Sequence, residues 1–439
     1  MSQTDLLARP LLLPCGATLR NRICKAAMTE GLADAQLRAT ERHVRLYREW
    51  SEGGAGLLLT GNVMIDRRVL ERPGNVAIDP APPDAESMAR LRAWAKAGTV
   101  AGNHFWMQLN HAGRQSPWYI TREPLAPSAV RLKLLANYAR PRALREDEIV
   151  DVIQRFARAA RTAREAGFTG VQIHGAHGYL ISSFLSPVTN RRTDAWGGSL
   201  ENRARLLMET IKATRAAVGA DFPVSLKLNS ADFQKGGFGN EECLQVVQWL
   251  NGCGLDLLEI SGGTYEQPRL LGYSGEAASA TEPPKAQSTR RREAYFLEYA
   301  AAIRKVAQMP LMITGGLRSR EGIEQALADG SVDVVGLGRP LCTEPDIPKR
   351  LLNGDGAAMP SYEHSLRLGP GIFSLTTPVF VLKLINVLGQ MGWYYQQLAR
   401  RSDGQAPALK RGLFSAFILY LTDEYLTAWR MHRARRPVR

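Results

Sequence analysis

From Arg22 to about Asn353, short runs of Val, Ile and Leu alternate with longer segments in which apolar residues recur every three or four positions. Short continuous apolar runs fit strands buried on both faces, and the three-to-four spacing fits helices with one buried stripe. Eight strand-like runs are read: Ile23–Thr29, Gly56–Val63, His104–Asn110, Gly170–Ala176, Val224–Asn229, Leu255–Ser261, Leu311–Gly315 and Val332–Gly338. Helical stretches follow them, among them Glu146–Ala166, Leu200–Val218, Glu293–Gln308 and Ser319–Ala328. Eight βα units predict an α/β fold closed as a (β/α)8 TIM barrel. An open doubly wound sheet would have about five or six strands and a Gly-rich first turn, which this sequence lacks. Chemistry in such barrels sits at the C-terminal ends of the strands. Long segments after the third strand (His111–Arg145) and the sixth (Gly262–Arg292) are expected to wall a site there, with Trp118, Tyr119 and Tyr265 as lining candidates.

After Pro360 the pattern changes, which divides the chain into a barrel (1–360) and a basic amphipathic helical extension (361–439). Within the extension, Val379–Leu398 and Leu413–Trp429 have helical apolar spacing, joined by the polar linker Arg401–Pro407. One stripe runs through Val381, Leu384, Leu388, Met391, Tyr395 and Leu398, and a second through Leu413, Phe417, Tyr420, Leu421 and Tyr425. Neither segment offers the ~18 uninterrupted apolar residues of a membrane span. Left bare, the stripes would exceed the apolar patch a monomer tolerates. They are therefore covered by the barrel, by a twin subunit in a homo-oligomer, by a membrane surface contacted peripherally through Arg430, Arg433, Arg435, Arg436 and Arg439, or by another partner.

Composition narrows the class. At 45% hydrophobic and 22% charged residues, the 439-residue chain is neither disordered nor collagen-like. Its five cysteines are scattered, with no C-x-x-C pair and no Cys/His cluster, so no metal, iron–sulfur or disulfide framework is expected. The net charge is +14, and half of it falls in residues 361–439, which hold eleven Lys and Arg against four Asp and Glu. Elsewhere basic residues are interspersed with acidic ones, and no basic run alternates with aromatics before residue 390. The expectation is a surface that favours anionic ligands, without a nucleic-acid partner. The run Leu11–Leu13, closed by Pro14 and preceded by Asp5, is too short for a signal-peptide core, so the chain reads as cytoplasmic.

Three groups of residues carry chemistry. The fourth strand ends in Val171-Gln172-Ile173-His174-Gly175-Ala176-His177-Gly178-Tyr179, two imidazoles and a phenol that can share one cavity; without a nearby third ligand they suit hydrogen bonding to a substrate oxygen better than a metal. The fifth strand, Val224–Asn229, places Lys227 in an apolar run, where a cation is costly unless an anion needs it. Thr314-Gly315-Gly316-Leu317 and Gly336-Leu337-Gly338-Arg339-Pro340 are glycine turns on the last two strands, suited to a phosphate.

With these residues in view, the sequence resembles the old yellow enzyme family of FMN-dependent ene-reductases from about residue 10 to residue 350. The likeness rests on Asn21-Arg22-Ile23, Gln108-Leu109-Asn110-His111-Ala112-Gly113-Arg114, Phe184-Leu185-Ser186-Pro187, Asn190-Arg191-Arg192-Thr193-Asp194 and Gly197-Gly198-Ser199-Leu200-Glu201-Asn202-Arg203, besides the His174 to Tyr179 run. The resemblance implies bound FMN, with NADH or NADPH as co-substrate. It implies hydride transfer from flavin N5 to the β-carbon of an activated alkene, an α,β-unsaturated carbonyl or nitro compound, whose oxygen His174 and His177 grip and whose α-carbon Tyr179 protonates. Lys227 would face the N1 and C2-oxygen edge of the flavin. Thr29, in Ala27-Met28-Thr29, would bond its O4, and Gly61 and Gln108 its pyrimidine edge. Gly315, Gly316, Gly338 and Arg339 would hold its phosphate. Ala27 departs from the proline the family usually has there, and Arg114 is left between a site and a structural role. No cysteine-rich motif follows residue 350, so hydride is expected directly from the nicotinamide. Two alternatives remain: a dehydrogenase or demethylase working oxidatively on an amine or cyclic enone, and a flavoprotein whose role depends on docking through its tail.

Overall fold

The computed structural model describes residues 6–79, 82–134, 137–261, 299–355 and 358–434. Strands β1 (Ile23–Lys25), β2 (Leu57–Met64), β3 (His104–Asn110), β4 (Gly170–Gly175), β5 (Val224–Asn229), β6 (Leu257–Ser261), β7 (Leu311–Thr314) and β8 (Val334–Leu337) form a closed barrel. The ring closes where β8 lies parallel to β1, with Val335 opposite Ile23 and Leu337 opposite Lys25. Every residue of β2 and β5 is buried, as expected of strands with side chains inside the barrel on one face and helices on the other.

The outer layer comprises helices α1 (Glu41–Glu52), α2 (Ala85–Gly98), α3 (Glu146–Glu165), α4 (Leu180–Leu185), α5 (Leu200–Val218), α6 (Asn240–Leu250), α7 (Arg320–Ala328) and α8 (Ile347–Leu352). In α3 the buried positions include Ile149, Val152, Ile153, Phe156, Ala160 and Ala163, the three-to-four spacing of one core-facing stripe. Helix α5 starts at Ser199, whose hydroxyl accepts the Asn202 N–H, and stops at Gly219, where φ is 76°.

Two readings need correction. The first strand was expected to reach Thr29, but its ladder stops at Lys25. One further bond, Ala26 N–H to the Leu337 carbonyl (2.9 Å), releases Ala27–Thr29 to the rim. The segment after β3 is not a plain loop: Leu125–Ala126 pairs in parallel with Arg142–Ala143. The segment Gly262–Arg292, Tyr265 within it, and the start of the helix expected from Glu293 lie outside the described residues.

The tail forms α9 (Phe380–Ser402) and α10 (Leu413–Ala434), packed on each other and on the barrel. They cross at glycines: a Cβ at Gly392 would lie 2.5 Å from Tyr420 Cβ and 2.9 Å from the Ala416 carbonyl oxygen, and one at Gly389 would lie 2.7 Å from Leu413 Cγ. That close crossing sets the rotation of α10. Its buried stripe is Leu413, Ala416, Glu424, Ala428 and Met431; of the expected stripe Leu413 is buried, Phe417, Tyr420 and Leu421 are half-buried, with Tyr420 stacked on Tyr395, and Tyr425 is exposed. A buried ion pair ties α10 to the segment after β2: Arg72 Nη2 donates to Glu424, Tyr119 Oη donates to the same carboxylate at 2.9 Å, and the Arg72 guanidinium lies 3.8 Å over the Tyr395 ring. Arg401 with Glu49 (2.5 Å) and Arg42 with Asp403 (2.8 Å) fasten the end of α9 to α1.

Candidate active site

A cavity of about 340 Å³ opens at the C-terminal ends of the strands. The barrel gives it Ala27, Met28 and Thr29 from the β1 end, Gln108 from β3, His174, His177 and Tyr179 from the β4 end, Lys227 from β5 and Arg339 after β8. Helix α9 supplies the opposite wall through Val387, Met391, Tyr394, Tyr395 and Leu398.

Both imidazoles are buried and held by backbone geometry. His174 Nδ1 accepts the Ala176 N–H at 3.2 Å, which leaves the proton of the neutral ring on Nε2. His177 has φ 62°, a left-handed conformation that costs a non-glycine residue about 1–3 kcal/mol. It is fixed by its N–H to Asn229 Oδ1 (3.1 Å) and by Nε2 against Ser261 Oγ (2.7 Å). The two ring centroids are 5.1 Å apart, and the Tyr179 ring is 4.8 Å from that of His174. Burial drives both pKa values well below the ordinary imidazole value, with His177 and then Lys227 adding to the effect at His174 and Lys227 adding to it at His177. At neutral pH the site therefore offers uncharged imidazoles. Asn62 Nδ2 donates to the Tyr179 hydroxyl at 3.3 Å.

Sheet register builds a polar chain beneath them. Lys227 stands opposite both His174 and Glu259, and Gln172 opposite Gln108. Lys227 Nζ meets Glu259 Oε1 at 2.9 Å, Gln172 Nε2 donates to Glu259 Oε2 at 2.8 Å, and Gln108 Nε2 donates to Gln172 Oε1 at 2.6 Å. The anion that stabilises Lys227 is thus Glu259, which the sequence reading missed. Its signal was a charged residue in the apolar run Leu257–Ser261, the same irregularity that singled out Lys227.

Other residues fall differently from expectation. Gly61 does not line the cavity: its N–H donates to Glu30 Oε1 (2.9 Å) and Tyr47 Oη (3.1 Å), and a Cβ there would lie 2.3 Å from Glu30 Oε2. Beside it Lys25 is buried, donating to the Leu59 carbonyl at 2.7 Å. Burial pushes its pKa down to about 8 against the attraction of Glu30. Trp118 and Tyr119 were expected to line the site; instead both rings pack toward Tyr425, because α10 offers them an aromatic partner and Glu424 accepts the Tyr119 hydroxyl. Arg114 is buried and is not part of the wall. Glu71, which no motif marked, does face the cavity and accepts from Thr29 Oγ1 (2.8 Å) and Asn62 Nδ2 (3.0 Å).

At the β7 and β8 ends, Gly315 and Gly316 have φ of 97° and 84°, which only glycine adopts readily, and a Cβ at Gly315 would meet nothing within 4 Å. These two glycines and Gly338 stand off the cavity wall, but Gly338 directly precedes Arg339, which lines it. After β8 a 3-10 turn, Arg339–Cys342, comes first, and the expected helix, α8 (Ile347–Leu352), starts only beyond it. Glu363 of the tail holds both nearby guanidinium groups, Arg318 at 2.8 Å and Arg339 at 3.5 Å, and accepts from Tyr394 Oη at 2.7 Å. Burial works against its charge, but Arg339 and Arg318 prevail and hold its pKa at about 2.

Thr29, Gln108 and Lys227 therefore face one space as hydroxyl, amide and cation, and the open glycine turn and Arg339 lie at another edge. That donor set suits a flat, polar-edged cofactor ending in one phosphate, as FMN does. A parallel eight-stranded barrel with such a cradle and two neutral imidazoles beside a phenol is a flavin-dependent oxidoreductase in class. Residues 7–355 match the model of the NADH:flavin oxidoreductase / NADH oxidase family, and the chain belongs to that family, the old yellow enzymes. FMN is the cofactor that goes with this membership.

Two relatives are both described as NADH-dependent flavin oxidoreductase iliE. The one from Neonectria sp. is 39% identical over 357 residues, spanning 78% of this chain and 46% of its own length. The one from Hypocrea jecorina is 37% identical over 362 residues, spanning 78% and 88%. The chain thus spans less than half of the first and most of the second. Among solved structures, the old yellow enzyme homologue from Zymomonas mobilis superposes with a TM-score of 0.66 at 27% identity, covering 85% of this chain and 99% of that one.

Proposed function

We propose that this protein reduces the carbon–carbon double bond of electron-poor alkenes, α,β-unsaturated carbonyl or nitro compounds, at the expense of NADH or NADPH. The observation that carries the reading is the meeting of His174, His177 and Tyr179 with Gln108 and Lys227 around one cavity. FMN, when bound, would supply hydride chemistry, taking a hydride from the nicotinamide and giving it to the alkene. His174 Nε2–H and the His177 ring donate to the activating oxygen, and as neutral donors aimed at developing negative charge each contributes about 3 kcal/mol. Tyr179, its hydroxyl oriented by Asn62, delivers the proton to the α-carbon. Lys227 and Gln108 would hold the pyrimidine edge of the flavin, Thr29 would tune it, and Arg339 with Gly315, Gly316 and Gly338 would hold the phosphate. Met391, Val387 and Leu398 of the tail exclude water and select for apolar substrates.

A second reading is favoured by Glu71: a carboxylate on the wall, with Tyr394 and Tyr395 nearby, can hold an ammonium, as oxidation of an amine requires. Stopped-flow spectroscopy separates the two. The proposal expects enones and nitroalkenes to reoxidise the NADH-reduced enzyme rapidly, and Tyr179→Phe to slow that step while sparing flavin reduction. Rapid anaerobic reduction of the oxidised enzyme by amines, with no response to enones, overturns it.

A further inference from the structure

We infer that the outer face of the α9–α10 pair docks on a bilayer surface bearing anionic lipids. Among the described residues, fifteen large apolar side chains are exposed, and twelve of them belong to the tail. On α10, Phe414, Ile418, Tyr425 and Trp429 share one stripe at spacings of four, seven and four residues, each exposed although Tyr425 also meets the Tyr119 ring; Phe414 is 56% and Trp429 54% exposed. The opposite stripe, Leu413 to Met431, is already spent on α9 and the barrel. A helix apolar on both sides has a second surface to cover. The start of α9 adds Phe380, 61% exposed.

Charge decides which surface that is. The exposed charges of the two helices are Lys383, Arg430, Arg433 and Asp423, with Lys410 just ahead of α10, a clear excess of cations around the apolar stripe. Arg433 lies 4.7 Å over the Trp429 ring, the pairing of aromatic and cation suited to a headgroup boundary. Pairing two copies through this face would set the two basic collars against each other, whereas anionic headgroups complement them. Among the described residues no helix is long and apolar enough to cross a membrane, so the contact is with the surface. The buried Arg72–Glu424 pair and the Glu49–Arg401 pair hold the face rigidly on the barrel, so docking needs no rearrangement of the site.

The test is cosedimentation of the FMN-loaded full-length protein with vesicles of phosphatidylcholine alone and of phosphatidylcholine with 30% phosphatidylglycerol by composition. The expected result is pelleting with the anionic vesicles about tenfold greater than with the neutral ones, lost in high salt. A blue shift of tryptophan emission should accompany it. Phe414→Asp with Trp429→Asp should abolish pelleting, and Arg430→Glu with Arg433→Glu should weaken it about tenfold. Neither pair touches the cavity, so turnover of a water-soluble enone should stay unchanged in both. Because pelleting is read without turnover, its failure is separate from failure of the catalytic reading. Equal recovery in the supernatant with and without anionic vesicles overturns the inference. So does a dimer on light scattering that the Phe414→Asp, Trp429→Asp variant converts to monomer, since a second copy would then be the occupant.

Discussion

The Glu424→Gln variant tests whether the tail is part of the site or a loose appendage. The substitution keeps the side chain's shape but leaves the Arg72 guanidinium, buried under Tyr395 and Tyr420, without its counter-charge. Removing one member of a buried pair costs about 3–5 kcal/mol, because the survivor stays desolvated. By contrast the Arg401–Glu49 pair leaves Glu49 37% exposed, and such pairs contribute about 0–1 kcal/mol. At about 3 kcal/mol the fraction of molecules with the tail lifted should rise roughly 100-fold. Cleavage of the linker between α9 and α10 tracks that fraction when opening is fast. Limited proteolysis should therefore cut Glu424→Gln about 100-fold faster than wild type and Glu49→Gln at nearly the wild-type rate. The Michaelis constant for enones should rise as the α9 wall loosens. The double variant Arg72→Met, Glu424→Leu should restore much of the resistance, since the buried charge goes with its partner. Equal cleavage of Glu424→Gln and Glu49→Gln would refute the reasoning.

His174→Ala and His177→Ala should each weaken phenol binding about 100-fold while FMN stays bound, read from the long-wavelength charge-transfer band. Since both imidazoles are neutral when folded but protonate near 6.5 when unfolded, the fold should lose stability as pH drops below about 6.5, and thermal melts should locate the onset there. Lys227→Met alone should destabilise the barrel by about 3–5 kcal/mol through unpaired Glu259, and Lys227→Met with Glu259→Gln by clearly less, measured by denaturant unfolding. Gly392→Ala should cost about 1–3 kcal/mol by pushing α10 off α9, seen as a lower melting temperature.

Periodicity read the barrel well because each strand carries its own pattern: β3, β5 and α5 run over the very residues inferred, β2, β4, β6, β7 and β8 differ slightly at their ends, and β1 stops well short of Thr29. The cluster from His174 to Tyr179 was legible because its members are adjacent in sequence. Partners from distant elements were not. Glu259 meets Lys227 through strand register, Glu363 reaches Arg318 and Arg339 from the tail, and Trp118 and Tyr119 turn to Tyr425. The stripe through Met391, Tyr395 and Leu398 could be read as apolar, but nothing local says that the surface it covers is the cavity. The stripe of α10 was read in part: Leu413 and Tyr420 do pack inward, but further along Glu424, Ala428 and Met431 turn in instead of Tyr425, and a buried carboxylate paired with a distant arginine leaves no apolar signal.

The chain from Glu259 to Gln108 has a direction. A carboxylate can only accept, so Glu259 takes the amide hydrogens of Gln172, and Gln172 must then offer its oxygen to the amide hydrogens of Gln108. Two symmetric-looking amides are thereby read in one sense, and the carbonyl oxygen of Gln108 is left outside the chain. A residue that never touches the ligand thus dictates whether the wall presents an acceptor or a donor at that point. Converting Glu259 to glutamine would give up the ion pair and reverse the instruction: Lys227 can only donate, so it would claim the new amide oxygen and turn the new NH2 group toward Gln172.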